Sequence, residues 1–294
     1  MGINRARFVG LVAAALLAMM ALAAPAHAGP RQEVLPIHGL TQPGGIAVDG
    51  VGTVYVVDTF ANRVLELTSG ANSPTALPIP DLTGPEDVAV DAAGDVFVTD
   101  RLGRVWTLPA GTASPRVLPF GDLGNPAGVA VDTAGNVYVT DRAETVERLH
   151  SRGDVDRVWK LAPGANAPTA LPFPGLHQPD DVAVDAAGDV YVLADTGDVT
   201  HPAKGVLKLA PGASTPTLLP FTDVSLLGEL AVDTTGDVYV TGEHQVYELA
   251  PGADTPTPLP FTGLSEPSAV AVADDGSVVV TDGLDKRVLR LIQG

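Results

Sequence analysis

Six copies of one hairpin phrase predict an all-β fold, a six-bladed β-propeller. The clearest copy is VAVDAAGDVYV at residues 182–192, in which two short apolar runs flank a tight Asp-x-x-Gly-Asp connection. Apolar residues that alternate around a turn rich in Gly and Asp indicate a β-hairpin. The copies cover residues 46–57, 88–99, 129–140, 182–193, 230–241 and 270–281. A hairpin cannot bury its own faces, so the copies are expected to stack on one another.

A second marker gives the repeat its length. The dipeptide Leu-Pro recurs with its leucine at Leu35, Leu77, Leu118, Leu171, Leu219 and Leu259. Periods of about 40–50 residues with four strands each are typical of propeller blades. The first strand of each repeat has small residues, as a strand near a crowded axis requires. The fourth strand contains proline, which an outer edge tolerates because one ladder hydrogen bond is not needed there.

The two ends of the chain predict how the ring closes. The last repeat stops after its third strand, at residues 287–292, and residues 33–37 read as a fourth strand with nothing before it. We expect this amino-terminal strand to complete the last blade, because closure removes the open edges that two sheet ends would present. Residues 29–294 are therefore predicted to form a single propeller.

Residues 1–28 have the composition of a secretory signal peptide. Arg5 and Arg7 precede an apolar run at residues 8–24, and Ala26-His27-Ala28 supplies the cleavage pattern. The competing interpretation is an uncleaved membrane anchor, since the run is almost long enough to span a bilayer. Cleavage predicts a secreted or extracellular protein, or one of the cell envelope, which meets a membrane only if the segment is kept. The sequence has no cysteine for disulfides or a lipid anchor.

Charge and loop length indicate which partners the chain has. The formal net charge of −18 makes nucleic acid an unfavourable partner. Two repeats carry polar insertions between their second and third strands, at residues 143–156 and 196–204. Both are expected on the face that carries the loops entering each blade. Insertions gathered on one face mark a binding face, although ordinary loop drift would also produce them.

Three phrases in sequence resemble the NHL repeat: Gly-Leu-x-x-Pro, Val-Ala-Val-Asp-x-x-Gly-x-Val-Tyr-Val-Thr-Asp and Arg-Val-x-x-Leu. Leu-Pro-Phe and Leu-Ala-Pro-Gly-Ala add a resemblance to the extracellular sensor domain of actinobacterial serine/threonine protein kinases, over residues 33–294. The kinase motifs themselves are absent. The resemblance implies an exported, monomeric, non-catalytic sensor or scaffold that binds a protein, peptide or glycan at the cell envelope.

Acidic residues recur at the position just before the innermost strand, which should ring the mouth of the central channel. The six residues there are Gly45, Asp87, Gly128, Asp181, Glu229 and Ala269. The acidic members, Asp87, Asp181 and Glu229, are the predicted ligand-binding residues. Oxygen ligands from several loops suit Ca²⁺, and their charge would also attract an amine. Solvated carboxylates in an acidic protein are the simpler interpretation.

The alternative function is a propeller hydrolase or lyase, of the lactonase or virginiamycin-lyase type, with a divalent cation at this acidic mouth. The histidines argue against it. His38 and His177 occupy equivalent entry loops three blades apart, and His150, His201 and His244 fall in variable loops. Neither HExxH nor Gly-x-Ser-x-Gly occurs. The sequence therefore favours a protein that is not an enzyme, with no cofactor beyond Ca²⁺ and no catalytic residue.

Carboxylates and arginines around the second strand are predicted to be structural. Asp58, Asp100, Asp141 and Asp282 open the loop between the second and third strands and are expected to cap amides of that loop. Arg63, Arg101, Arg104, Arg142 and Arg287 are the expected ion-pair partners. Trp106 and Trp159 occupy equivalent third strands and are predicted to pack between blades.

Overall fold

The structure, a computed structural model, describes residues 29–142, 156–197, 203–221, 224 and 228–293. The predicted signal peptide, residues 1–28, lies outside the described residues. So do the insertion 143–156, apart from its last residue, and residues 198–202 of the second insertion. The described residues contain 24 short strands and one 3-10 turn, Thr59–Ala61, but no α-helix. No helix among them is long and apolar enough to cross a membrane.

The strands form six four-stranded antiparallel sheets, which confirms the predicted all-β propeller with six blades. A first strand, β1 (Arg31–Val34), belongs to the sheet of blade 6. From the inner to the outer strand, blade 1 consists of β2 (Pro43–Val48), β3 (Val54–Asp58), β4 (Arg63–Leu67) and β5 (Thr75–Ala76). Blade 2 consists of β6 (Pro85–Val90), β7 (Val96–Asp100), β8 (Arg104–Leu108) and β9 (Arg116–Val117). Blade 3 consists of β10 (Asn125–Val131), β11 (Val137–Arg142), β12 (Arg157–Leu161) and β13 (Thr169–Ala170). Blade 4 consists of β14 (Asp181–Val184), β15 (Val190–Asp195), β16 (Lys204–Leu209) and β17 (Thr217–Leu218). Blade 5 consists of β18 (Leu230–Val232), β19 (Val238–Thr241), β20 (Val246–Leu249) and β21 (Thr257–Pro258). Blade 6 consists of β22 (Pro267–Val272), β23 (Val278–Asp282) and β24 (Arg287–Ile292), with β1 outside β24.

The amino-terminal strand lies slightly earlier in the chain than the sequence suggests. β1 pairs antiparallel with β24, with Arg31 opposite Ile292 and Val34 opposite Leu289. Leu35 and Ile37, expected within that strand, pack their side chains into the core between blades 1 and 6. The amide of Leu35 still donates to the carbonyl of Val288, at 2.9 Å, so the chain leaves β24 after Leu35.

The core consists of six apolar clusters, and each lies between two neighbouring blades. In blades 3 and 4, for example, Tyr138 and Val158 pack against Val190 and Val192. Trp106 is 8% exposed and belongs to the cluster of blades 1 and 2, as predicted, while Trp159 packs on the cluster of blades 2 and 3. Each blade therefore buries its two faces against its two neighbours.

The hairpin turns are built by their first aspartate. In blade 4, Oδ1 of Asp185 accepts the amides of Ala187 and Asp189, both at 2.9 Å, and Gly188 has a positive φ of 83°. The same pair of bonds is made by Asp49, Asp91, Asp132 and Asp233. These aspartates therefore serve turn chemistry, as the sequence indicates.

The aspartates at the end of the second strand act on a different loop from the one predicted. Oδ1 of Asp58 accepts the amides of Thr41 and Gln42, at 2.9 and 3.0 Å, which belong to the loop entering the blade. Asp141 and Asp282 do the same in their own blades. Among the described residues, which leave out most of the loop after Asp141, only Asp100 caps its own loop, through Leu102. The sequence could not show this, because the entry loop and the second strand meet only through the sheet.

The predicted ion pairs with these aspartates form in three blades. Arg63, Arg104 and Arg287 each contact the fully buried aspartate of their own blade. Arg101 and Arg142 instead contact Glu86 and Asp180. The first group is therefore structural, whereas Arg142 of the second group lies with Asp180 and Glu86 at the channel mouth.

Asp100→Asn is expected to lower the free energy of unfolding by about 2 kcal/mol, because hydrogen bonds to a charged group contribute about 1.5–3 kcal/mol. Asp100 accepts bonds from Arg104 and from Nε1 of Trp106, and an asparagine side chain has only one oxygen to accept both. Urea denaturation measures the loss. Asp254→Asn, at an exposed position, is the matched control; an equal loss in both variants would contradict the structural role.

Candidate functional site

The three predicted acidic residues surround the upper end of the central channel. Asp87 lies in β6, Asp181 begins β14, and Glu229 directly precedes β18. All three line the channel, together with the apolar residues of the innermost strands. Their role as ligand-binding residues stays a prediction, and their surroundings differ in a way that the sequence does not show.

Asp87 and Asp181 join neighbouring blades. Oδ1 of Asp87 accepts the amide of Val88, and Oδ2 accepts the amide of Val129 in the next blade, both at 2.7 Å. Asp181 repeats this arrangement with Val182, at 2.7 Å, and with Leu230 of the next blade, at 2.8 Å. They are only 7% and 4% exposed. Both carboxyl groups are therefore part of the scaffold beneath the mouth.

The glycines of the ring make room for these two carboxyl groups. A Cβ atom on Gly45 would overlap Oδ1 of Asp87, and one on Gly128 would lie 2.5 Å from Oδ1 of Asp181. Each glycine stands one blade before the aspartate that it accommodates. Gly and Asp alternate at this position because each aspartate carboxyl group occupies the space that a side chain on the preceding glycine would need.

Glu229 differs from the two aspartates. It is partly buried, and no hydrogen bond or ion pair of its carboxyl group is present among the described residues. Only its backbone is held, through the bond from its amide to Oγ1 of Thr241 at 2.9 Å. Its carboxyl group is therefore the one at the mouth that is left for a ligand.

Burial and mutual repulsion raise the pKa values of the three acidic residues at the mouth. Each carboxyl group therefore keeps its proton to a higher pH than an exposed carboxyl group does. Burial, followed by the charges of Asp87 and Asp181, raises the pKa of Glu229 well above its ordinary value. Burial and the charge of Asp181 likewise raise the pKa of Asp87. Burial raises the pKa of Asp181 to about 7, against the bonds from Leu230 and Val182 that favour its charged form. Near neutral pH, the mouth can thus hold protons on carboxyl groups.

These raised pKa values predict that the fold becomes less stable as pH rises. Between about pH 4 and the folded-state pKa, the folded chain holds protons that the unfolded chain has released, so stability is highest at acidic pH and falls through about pH 7. Urea denaturation is expected to give a free energy of unfolding lower at pH 8 than at pH 5 by about 1 kcal/mol or more. Asp181→Asn should reduce this difference, whereas the exposed Asp254→Asn should leave it unchanged. Equal stability at both pH values would contradict the account.

A cavity of about 510 Å³ opens above this mouth. Asp87 and Glu229 form part of its floor, and its walls come from the loops between the second and third strands and from the entry loops. The wall residues with functional groups are Glu86, Arg142, Asp180, Lys204, Glu243, His244, Ser265, Glu266 and Ser268. The volume suits a small molecule or a short segment of a larger one.

His244 is a wall residue that the sequence left among the variable loops. Its Nδ1 lies 2.8 Å from the carbonyl oxygen of Ser265. A carbonyl oxygen only accepts, so Nδ1 donates this bond, and in the neutral imidazole the lone pair is therefore on Nε2. Nε2 lies 3.9 Å from a carboxylate oxygen of Glu243 and is otherwise open, because the side chain is 67% exposed. The other candidate histidines, His38 and His177, do not line the cavity.

The described residues do not fit the predicted cation site. No group of three or more His, Cys, Asp or Glu side chains in the described ranges could hold a metal ion. Asp87 and Asp181 already accept two amides each, so their oxygens are directed at the backbone. The Ca²⁺ site therefore stays a prediction that these residues do not support.

Two parts of the sequence match known families. Residues 72–108 match the family described as strictosidine synthase-like, N-terminal, and residues 123–145 match the NHL repeat. These matches support an NHL-type propeller. Neither concerns the predicted likeness to kinase sensor domains. No curated protein matches the chain.

Several solved structures share the fold. A gluconolactonase from Xanthomonas campestris has a TM-score of 0.71 and 16% identity, over 90% of this chain and 90% of that one. Virginiamycin B lyase from Staphylococcus aureus, in a catalytically inactive form with quinupristin, has a TM-score of 0.62 and 14% identity, over 89% and 85%. The PQQ-bound aldose sugar dehydrogenase of Streptomyces coelicolor has a TM-score of 0.64 and 16% identity, over 90% and 98%.

These relatives correct the expectation that the propeller is not an enzyme. The solved chains that share its fold include a lactonase, a lyase and a dehydrogenase, so the expectation is wrong. The histidine argument failed because it looked for a metal-binding pair. It passed over a single histidine whose partner, the Ser265 carbonyl, is 21 residues away. At these identities the likeness shows the fold alone, and a particular activity of this chain is a proposal.

Proposed function

We propose that this propeller is a hydrolase that cleaves an ester or lactone bond in the mouth cavity by acid–base chemistry. The observation that carries the proposal is that one cavity contains a carboxyl group without a partner among the described residues, whose pKa burial raises, and an imidazole whose Nε2 is exposed to the cavity. Proton transfer needs such a pair, one group that gives a proton and one that takes it, in the same space. The gluconolactonase among the structural relatives supports the choice of bond.

Water is the nucleophile in the proposed step. Nε2 of His244 takes a proton from a water molecule, whose oxygen attacks the ester carbonyl carbon. The bond from that carbon to the alkoxy oxygen breaks, and the carboxyl group of Glu229 gives its proton to the departing oxygen. The products are a carboxylic acid and an alcohol, and the imidazolium proton returns to Glu229 through solvent.

Asp87 and Asp181 act as positioning residues. Burial in the floor keeps the proton on Glu229, repulsion adds to this when either aspartate ionises, and the bonds of the aspartates to Val129 and Leu230 hold the blades that carry the floor. No step requires a metal ion at the mouth. In this proposal, the acidic residues predicted at the mouth hold protons that the reaction uses and do not bind a cation.

Export and partners stay predictions. We propose that the enzyme acts outside the cytoplasm, which rests on residues 1–28 alone. The proposed enzyme has a small-molecule substrate in place of the protein, peptide or glycan ligand. A monomer remains the expected state, and the likeness to kinase sensors has no part in this proposal.

The test is hydrolysis of a panel of lactones and linear esters by the purified protein, followed by acid release in a pH-stat. Glu229→Gln keeps the shape but cannot give a proton, and we expect it to lower kcat by about 10²–10³-fold. Glu33→Gln, on the outer strand of blade 6, is the matched control. Absence of turnover on every substrate, or equal rates in wild type and Glu229→Gln, would overturn the proposal.

A further inference from the structure

One wall of the cavity contains two cations around a single carboxylate. Oδ1 of Asp180 accepts a bond from Arg142 at 2.6 Å, and Oδ2 contacts Nζ of Lys204. The three side chains are 29%, 17% and 34% exposed, in the order Arg142, Asp180 and Lys204. The group, called the basic corner below, therefore has one positive charge in excess.

Blade 4 breaks the pattern that the other blades set. Opposite the last residue of the second strand, blades 1, 2 and 6 place an arginine that pairs with the aspartate of its own blade. In blade 4 the two equivalent positions hold Ala194 and Gly205, so this pair is missing. Lys204, one residue before Gly205, lies opposite Asp195, but its ammonium group contacts Asp180, and Asp195 has His177 3.5 Å away. A cation that stands outside the repeat's structural pair and lies in a cavity wall indicates a function.

Arg142 also departs from its counterpart. In blade 2 the equivalent Arg101 pairs with Glu86 alone. Arg142 donates through Nε to the carbonyl of Pro179, at 3.1 Å, and through Nη2 to Asp180. Among the described residues its Nη1 donates to nothing, and Lys204 keeps two further donors. All three side chains of the basic corner line the same cavity as Asp87 and Glu229, so the basic corner stands beside the floor.

We propose that the basic corner binds a carboxylate carried by the substrate, next to the bond that is cleaved. This inference rests on the proposed function and adds the substrate class, a lactone or ester that also carries a free carboxylate group. Arginine and lysine donors match carboxylate oxygens, and such charge-assisted bonds are the stronger ones. One excess positive charge balances a monoanion. A phosphate dianion would be opposed by Glu243 and Glu266 of the same cavity.

The test compares a γ-lactone that carries a carboxylate with the same lactone as its neutral carboxamide. Wild-type protein is expected to prefer the carboxylate. Lys204→Met removes the excess charge and is expected to raise KM for the carboxylate about tenfold, with KM for the carboxamide unchanged. Lys286→Met, an exposed lysine in a loop of blade 6, should change neither value. Equal KM values for the two lactones in wild type, with turnover of both, would overturn the inference and leave the proposed function intact.

Calorimetric binding to the Glu229→Gln protein separates the two proposals if neither lactone is hydrolysed. The probes are the lactone carboxylate, its carboxamide and inorganic phosphate. Binding of the carboxylate alone, lost in Glu229→Gln/Lys204→Met, supports the basic corner even where the hydrolase proposal fails. Binding of phosphate more tightly than the carboxylate, or no difference between the lactones, would overturn it.

Discussion

His244→Ala is expected to lower kcat/KM for the hydrolysed ester by about 10²–10⁴-fold, because positioned proton transfer contributes about this much to catalysis. The imidazole is held by one bond to the Ser265 carbonyl, so its loss should leave the blades intact. The vacated space faces the open cavity. Free imidazole in the buffer is therefore expected to restore part of the rate to this variant and to leave the wild type unchanged.

His38→Ala is the matched control for this experiment. His38 is exposed, lies in the entry loop of blade 1 and is not part of the cavity wall. An equal loss of rate in the two variants, or a His244→Ala protein that keeps wild-type activity, would show that His244 is not the base. Thermal unfolding of all three proteins establishes that the comparison is between folded chains.

Gly128→Ala is expected to lower the free energy of unfolding by about 3 kcal/mol, at the upper end of the cost of overpacking. The new Cβ would lie 2.5 Å from Oδ1 of Asp181, and 2.7 and 2.8 Å from the backbone at Asp181 and Val182. Backbone atoms of an inner strand cannot move aside without opening the joint between blades 3 and 4. Urea denaturation, with the midpoint and slope both recorded, measures the loss.

Gly283→Ala is the control for the glycine experiment. Its Cβ would meet the Ser268 hydroxyl at 3.3 Å, a side chain that can turn away. A loss below about 1 kcal/mol is expected there, in the range of an ordinary surface change. Equal free energies of unfolding for Gly128→Ala and Gly283→Ala would show that close packing against Asp181 is not the reason why residue 128 is a glycine.

The fold was predictable from the sequence because each blade repeats the same short sequence pattern. Apolar alternation and the Asp-x-x-Gly-Asp turn define each inner hairpin without reference to distant residues. The position of β1 was missed by a few residues. Leu35 and Ile37 are recruited to a core shared with blade 6, and a linear pattern does not encode that contact.

The site was predictable only in part. The ring of acidic positions follows from the repeat, and so does its place at the mouth. The burial of Asp87 depends on a glycine 42 residues earlier and on an amide of the next blade, Val129, the same distance later. The basic corner depends on Lys204, which contacts Asp180 rather than Asp195, the residue opposite it in the strand pair. Both become visible when equivalent positions are compared between blades, because a departure from the repeat indicates a local demand.

The pH dependence of kcat/KM for the hydrolysed ester tests the central claim most directly. An ionised Glu229 cannot give a proton, so we predict that kcat/KM falls on the alkaline side of the profile, at a pH above the usual range for a glutamate. Glu229→Gln should remove this fall, whereas the control Glu33→Gln should keep it. An alkaline fall that persists unchanged in Glu229→Gln would show that Glu229 is not the acid that catalyses the reaction.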